Sequence, residues 1–161
     1  MVNQPQLLIG TGVLLFGGAI YFIDRPPDQT GVFTLLPIWL SGYGALPRLP
    51  SPVGSSLPTF VHALSFAMIT ASLCRPRAPS YAAICLVWLC IDVTFEIGQG
   101  PGRWITHMIP MSLDGVPFLG YVRRYFMWGT FDPLDLLAAF LGSATALPLL
   151  LLTRDRSLEK W

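Results

Sequence analysis

Six polar side chains in a mostly apolar chain are the residues best able to do chemistry. They are His62, Glu96, Gln99, Arg103, Asp132 and Asp135. Ionisable groups beside or inside apolar segments of this kind are expensive to place in a membrane, so each is a functional-site hypothesis. We expect the six to form one polar cluster, which either binds a ligand or holds the helices together.

One stripe of a predicted helix carries part of this cluster. Asp92, Glu96 and Gln99 are spaced i, i+4 and i+7, so they share a helix face. Glu96 would lie at the C-terminal end of that helix, where the dipole disfavours a negative charge. It therefore needs a proton or a partner, and the candidates are Arg103, His62 and Gln99. Asp92 lies one turn deeper, so we expect it to be neutral or paired.

The run Asp132-Pro133-Leu134-Asp135 has the pattern of a helix start. Asp132 fits the N-cap and proline fits the first helical position. Asp135 would then lie in the first turn, where the positive end of the dipole favours it. Capping accounts for Asp132, whereas Asp135 is open to a structural or a ligand-binding role.

His62 is predicted to lie one turn inside an apolar helix, either as a hydrogen-bonded packing residue or paired with Glu96 or Asp135. A nitrogen and oxygen metal site that combines it with Glu96, Asp132 and Asp135 is a weaker alternative, because no metal-binding spacing such as HExxH is present. Axial ligation of a tetrapyrrole is weaker still. No cofactor is predicted, and no nucleophile motif indicates an enzyme.

Composition places all of these residues in a membrane protein. The chain has 161 residues, of which 53% are hydrophobic and 12% charged, and its mean hydropathy is +0.57. These values are typical of a single membrane domain. The net charge of +1 is dispersed, which gives no reason to expect a nucleic-acid partner. Period-2 alternation is absent, so helices are expected rather than a barrel.

Four apolar stretches are close to the roughly 20 residues that cross a bilayer. We therefore predict an all-α membrane protein, a bundle of four transmembrane helices in one domain that covers residues 1–161. Successive spans alternate direction, which would bring His62, Glu96 and Asp132 to the same side. The two outer loops, about residues 24–56 and 98–131, are expected to hold interfacial segments, one at residues 33–40 and an aromatic-rich one at residues 116–128. The predicted spans are about residues 7–23, 57–73, 81–97 and 134–152.

Basic residues indicate the orientation. A very short loop and the C-terminal tail fall on one side of a four-span protein, and both are basic. The opposing loops carry as many basic residues, five on each side, but by the positive-inside rule the density of basic residues near the span ends favours this side as the cytoplasmic one, with both termini. The N-terminal residues lack the basic region of a signal peptide, so the first span is expected to be a retained anchor. The basic residues concerned are Arg75, Arg77, Arg154, Arg156 and Lys160.

Small residues predict where helices pack closely. Ala138, Gly142 and Ala146 recur every fourth residue, a spacing that lets helix backbones approach. Glycines at positions 10, 17 and 18 suggest similar packing on the first helix. Cys85 and Cys90 are five residues apart and do not share a helix face, so no disulfide is expected between them.

The order of the polar residues resembles the VanZ-like family of membrane proteins. The resemblance rests on His62, then Glu96-Ile97-Gly98-Gln99, then Gly102-Arg103, and on the run Gly129-Thr130-Phe131-Asp132-Pro133-Leu134-Asp135-Leu136-Leu137-Ala138 followed by Gly142. It covers about residues 57–152. The chain departs from the family at Pro58-Thr59, where Asp-Lys is common, and at Ala139, where the family has asparagine.

The resemblance implies a four-helix protein of the bacterial inner membrane whose activity is poorly defined. The family takes its name from low-level resistance to teicoplanin. Our first hypothesis is a VanZ-like protein whose outer-leaflet polar pocket binds a lipid-linked envelope ligand. The second is an accessory subunit of a larger membrane complex, for example an energy-transducing one, with the polar cluster as a clamp. A metal-dependent intramembrane hydrolase is the weakest hypothesis.

Overall fold

The computed structural model describes residues 2–24, 49–74, 78–100, 104–110, 116, 122–123, 125–127 and 129–154. Within these residues five helices are defined, and no strand occurs. Four of the helices are long and apolar enough to cross a membrane, which confirms the prediction of an all-α four-helix bundle. The helices are α1 (Gln4–Asp24), α2 (Ser51–Cys74), α3 (Ala78–Gly98), the short α4 (Trp104–Met108) and α5 (Pro133–Leu152).

Helix α5 begins as its sequence predicts. Asp132 is the N-cap, with extended backbone, and its side chain accepts a hydrogen bond from the Leu134 backbone N–H at 2.9 Å. Pro133 occupies the first helical position, where its missing N–H would have had no partner. Asp135 lies in the first turn, as expected.

Helix α2 begins earlier than predicted. Its first residue is Ser51 rather than one near Leu57, and the backbone N–H groups of Val53 and Gly54 both donate to the Pro50 carbonyl. The Pro/Gly/Ser-rich composition of this stretch is typical of a loop, but transmembrane helices tolerate such residues better than soluble ones. As a consequence His62 is the twelfth of 24 residues, so it lies in the middle of α2 and not near its start.

Helices α1 and α2 pack antiparallel through two glycines. A Cβ added at Gly17 would lie 2.5 Å from a Val61 methyl, and one at Gly10 would lie 2.9 Å from Met68. Both glycines are therefore needed for this close approach. Gly18, which was expected to act similarly, has no atom within 4 Å of an added Cβ.

Helix α5 packs against both α2 and α3. At Gly142 an added Cβ would lie 2.5 Å from the Phe60 carbonyl oxygen, so the two backbones are in near contact. Ala138 and Ala146 are buried on the same face, which confirms the predicted small-residue stripe. The core of the bundle is built from Leu64, Ala67, Met68, Ala71, Tyr81, Cys85, Ala146 and Leu150.

The three cysteines are free, as the spacing predicted. Cys85 is buried in the core, whereas Cys74 and Cys90 are exposed. The predicted interfacial segment at residues 33–40 lies outside the described residues, and the one at residues 116–128 lies only partly within them.

Candidate functional site

Glu96 joins the end of α3 to the start of α5. One of its carboxylate oxygens accepts a hydrogen bond from the backbone N–H of Asp132, 36 residues further along the chain. The positive end of the α5 dipole therefore meets a carboxylate that the α3 dipole disfavours. Glu96 was expected to need a proton or a side-chain partner, and the partner observed is a backbone amide. Arg103 lies outside the described residues.

Gln99 and Tyr125 extend this junction. Their side chains are hydrogen-bonded to each other. The backbone N–H of Gly129 donates to the Tyr125 carbonyl at 2.9 Å, which holds the residues before α5 close to Gln99. A methyl group on Gly129 would overlap the Gln99 carboxamide. A larger residue at position 129 would therefore displace the Gln99 side chain from the place it occupies beside Tyr125.

The pKa of the Tyr125 hydroxyl is sensitive to the charged groups around it. Burial is the largest cause that raises the pKa of Tyr125, the hydrogen bond with Gln99 lowers it, and the negative charges of Glu96 and Asp135 raise it further. The hydroxyl therefore lies in the field of two carboxylates from different helices. We call Glu96, Gln99, Tyr125, Asp132 and Asp135 the junction cluster.

Aromatic rings cover one side of the junction cluster. The Phe95 ring of α3 lies 5.3 Å from that of Phe126 and 6.0 Å from that of Tyr125, measured between centroids. The rings of Tyr125 and Phe126 are 5.4 Å apart and nearly perpendicular. These separations favour attractive ring packing. The described part of the predicted aromatic segment therefore packs on the end of α3.

His62 is paired with Asp92. The His62 Nδ1 and Asp92 Oδ1 atoms are 2.6 Å apart, and Asp92 is buried at 8% exposure. Asp92 was expected to be neutral or paired, and it is in contact with His62. His62 was expected either as a hydrogen-bonded packing residue or as a partner of Glu96 or Asp135; it is hydrogen-bonded, but its partner is the carboxylate one turn deeper on α3 than Glu96.

The depth of this pair separates His62 from the start of α5. Within the described residues, no three His, Cys, Asp or Glu side chains are close enough to hold one metal ion. The ligand set His62, Glu96, Asp132 and Asp135 is thus not assembled at one point. The arrangement instead provides two neighbouring polar centres, the junction cluster and the His62–Asp92 pair.

Sequence reasoning missed a third polar centre at the opposite end of the bundle. Gln6 of α1 is fully buried, and its side-chain amide donates to the Tyr81 hydroxyl and to the Leu150 carbonyl, both at 3.3 Å. The Asn3 side-chain amide donates to the Thr153 carbonyl at 3.1 Å. A glutamine one position before the apolar run was the available signal, but the predicted span began after it.

This third centre ties α1 to the rest of the bundle. Its hydrogen bonds reach α3 through Tyr81 and α5 through Leu150. These hydrogen bonds join the first turns of α1 and α3 to the last turn of α5. We therefore interpret this third polar centre as structural.

Comparisons with protein-family models, curated proteins and solved structures return no match for this chain. The VanZ-like resemblance therefore stays a prediction from the residues that carry it.

Proposed function

We propose that this chain is a VanZ-like multi-pass protein of the bacterial inner membrane, and that its junction cluster binds the headgroup of a lipid-linked envelope ligand. The observation that carries the proposal is the convergence of Glu96, Asp135 and Tyr125 at one end of apolar helices. Ionisable groups gathered at such a place commonly mark a binding site.

The chemistry of the junction cluster selects the kind of headgroup. Its carboxylates and the carboxamide of Gln99 present hydrogen-bond acceptors. Hydroxyl and amino groups are the matching donors, so a saccharide headgroup fits better than a bare phosphate. Arg103 would add a donor if it joins the site, as the sequence predicts.

Apolar side chains beside the cluster suit the lipid part of such a ligand. Four large hydrophobic residues at the ends of α3 and α5 are exposed, next to the carboxylates. A ligand with a polar head and an apolar tail would contact both kinds of surface at once. The four residues are Phe95, Ile97, Phe131 and Leu134.

The test uses the full chain in nanodiscs with two probes, a polyprenyl-phosphate-linked disaccharide and the same polyprenyl phosphate without sugar. Native mass spectrometry measures the bound fraction of each. We expect the disaccharide lipid to bind at least tenfold more tightly, and Asp135→Asn to reduce that preference. Thr94→Ala is the matched control, because Thr94 is exposed on α3 and its hydroxyl donates to the Cys90 carbonyl of its own helix, its single hydrogen bond among the described residues. Equal binding of both probes would contradict the proposal.

A second function is favoured by the hydrogen bond between Glu96 and Asp132, which has the form of a clamp between helices. The protein would then be an accessory subunit of a larger membrane complex. Solubilisation in mild detergent distinguishes the two. A stable large assembly with co-purifying proteins supports the subunit, whereas a monomer without companions contradicts it.

A further inference from the structure

The His62–Asp92 pair lies near the middle of the helices that carry it, with Asp92 buried and the His62 side chain 38% exposed on the surface of the bundle. His62 is nine residues from the start of the Val53–Cys74 span, about 14 Å of helix rise. The hydrocarbon core is about 30 Å thick, so this depth is close to its middle. Asp92 is six residues from the end of α3, about 9 Å. An ionisable pair at such depth is costly and is therefore expected to have a function.

The surroundings of the pair are apolar and aromatic. The imidazole ring of His62 lies 4.5 Å from the Phe66 ring and 5.6 Å from the Trp88 ring, between centroids. The Trp88 indole N–H is occupied, since it donates to the Thr70 hydroxyl at 3.0 Å. Asp92 Oδ2 is buried and has no hydrogen-bond partner among the described residues. Among the described residues, the Asp92 carboxylate is therefore stabilised only by its contact with His62.

Charge balance gives this pair an affinity for one proton. With one shared proton it is neutral overall, whether as imidazolium with carboxylate or as imidazole with carboxylic acid. Without that proton it carries a net negative charge, which an apolar environment strongly disfavours. The buried and unpartnered Asp92 Oδ2 increases this penalty, because nothing else among the described residues stabilises the anion.

Several other ionisable groups on the helices around the pair lie towards the end of the bundle where α5 begins. On α3 this is Glu96, one turn from Asp92 along the same stripe. On α1 they are Tyr21 and Asp24, and at the start of α5 they are Asp132 and Asp135. Glu96 is itself buried, and its carboxylate accepts the hydrogen bond from the Asp132 N–H in the junction cluster.

We propose that the His62–Asp92 pair is a proton-binding site within the bilayer, loaded and unloaded through Glu96 from the end of the bundle where α5 begins. In loading, hydronium at the membrane surface gives a proton to the Glu96 carboxylate and leaves water. Glu96 then passes the proton to the deprotonated pair and is again a carboxylate. No electrons are exchanged, and the reverse steps unload the site. Glu96 is here a positioning and relay residue for the proton.

Nitrogen-15 NMR of the full chain in liposomes tests this proposal. The chain has two histidines, so His107→Asn leaves His62 as the single labelled signal. We expect the nitrogen-15 signals of the His62 ring to show one pH-dependent transition, as the pair gains or loses its one proton. Asp92→Asn should shift that transition by at least one pH unit.

Hydrogen–deuterium exchange at the His62 ring tests the route. Glu96→Gln keeps an oxygen for the Asp132 N–H but removes the titrating group, so it should slow exchange at least tenfold. Thr94→Ala should leave the rate unchanged. A His62 signal that does not change with pH would overturn the binding site, and an unchanged exchange rate in Glu96→Gln would overturn the route. Neither readout uses the lipid probes, so the proposed function can fail separately.

Discussion

The carboxylate of Glu96, in the last turn of α3, accepts a hydrogen bond from the backbone N–H of Asp132, the residue that caps α5. The negative charge of Glu96 is unfavourable at the C-terminal end of α3, but the same carboxylate lies against the N-terminal end of α5. The favourable end of α5 offsets the unfavourable end of α3. This contact holds the end of α3 against the start of α5 through two residues that are 36 positions apart in the chain.

Removing the Glu96 carboxylate should loosen this junction. Glu96→Ala leaves the Asp132 N–H without its acceptor, and an unsatisfied buried group costs about 1–3 kcal/mol. Glu96→Gln retains an oxygen acceptor and should lose less than half as much. Equilibrium unfolding in mixed detergent micelles measures both, with Thr94→Ala as the control. Equal losses for the two variants would mean that the charge, not the hydrogen bond, stabilises the junction.

The adjacent glycines Gly17 and Gly18 of α1 should differ in how much stability they lose on substitution by alanine. Gly17→Ala places a methyl group against Val61, and such overpacking typically costs about 1–3 kcal/mol. Gly18→Ala meets no atom within 4 Å, so it should change stability by less than about 0.5 kcal/mol. The same unfolding assay applies to both. Similar losses in both variants would contradict the packing of α1 on α2.

Gln6 should contribute to stability although it is outside the candidate site. Gln6→Leu removes the donors to the Tyr81 hydroxyl and the Leu150 carbonyl, and hydrogen bonds between helices in membranes are worth about 0.6–1.7 kcal/mol. Gln4→Leu is the matched control, because Gln4 is exposed on the same helix. The free energy of unfolding should fall for the first variant and stay constant for the second.

Tyr125 should make the bundle sensitive to alkaline pH. Burial raises the pKa of Tyr125 above its ordinary value of 10.0, so the folded state favours the neutral phenol. The unfolded chain ionises first, so stability is full below about pH 10 and falls as the pH rises towards the folded pKa. Tyr125→Phe should remove this part of the decrease. Unfolding at several pH values, together with absorbance of the tyrosinate, measures it.

Cys74 offers a test of orientation. It is exposed at the end of α2, whereas Cys85 is buried and Cys90 lies on the outer face of a spanning helix. A membrane-impermeant maleimide should label Cys74 in inside-out vesicles and not in intact spheroplasts, because the adjacent basic loop is expected in the cytoplasm. Cys74→Ser is the control. Labelling in spheroplasts alone would reverse the predicted topology.

The polar residues show how far sequence reasoning reaches. Capping by Asp132 depends on neighbouring residues, so it was readable from the sequence and is confirmed. The small-residue stripe of α5 follows from a fixed helical spacing and is confirmed too. The partner of Glu96 is a backbone amide, and no residue type indicates in advance which amide a distant helix will present.

The depth of His62 in the bundle could not be predicted from the sequence either, because it also depends on packing between distant residues. Pro58 and the residues before it have the composition of a loop, and only their packing in the bundle shows that they continue α2. That extension moves His62 to the middle of its helix and opposite Asp92.

The sequence by itself determined the class of fold, the four spans and the helix start at Asp132, because apolar run length, helical period and capping are local properties. The tertiary structure decided that His62 pairs with Asp92 and that Glu96 meets the Asp132 amide. Those choices depend on the relative depth and rotation of packed helices, which many distant contacts set together.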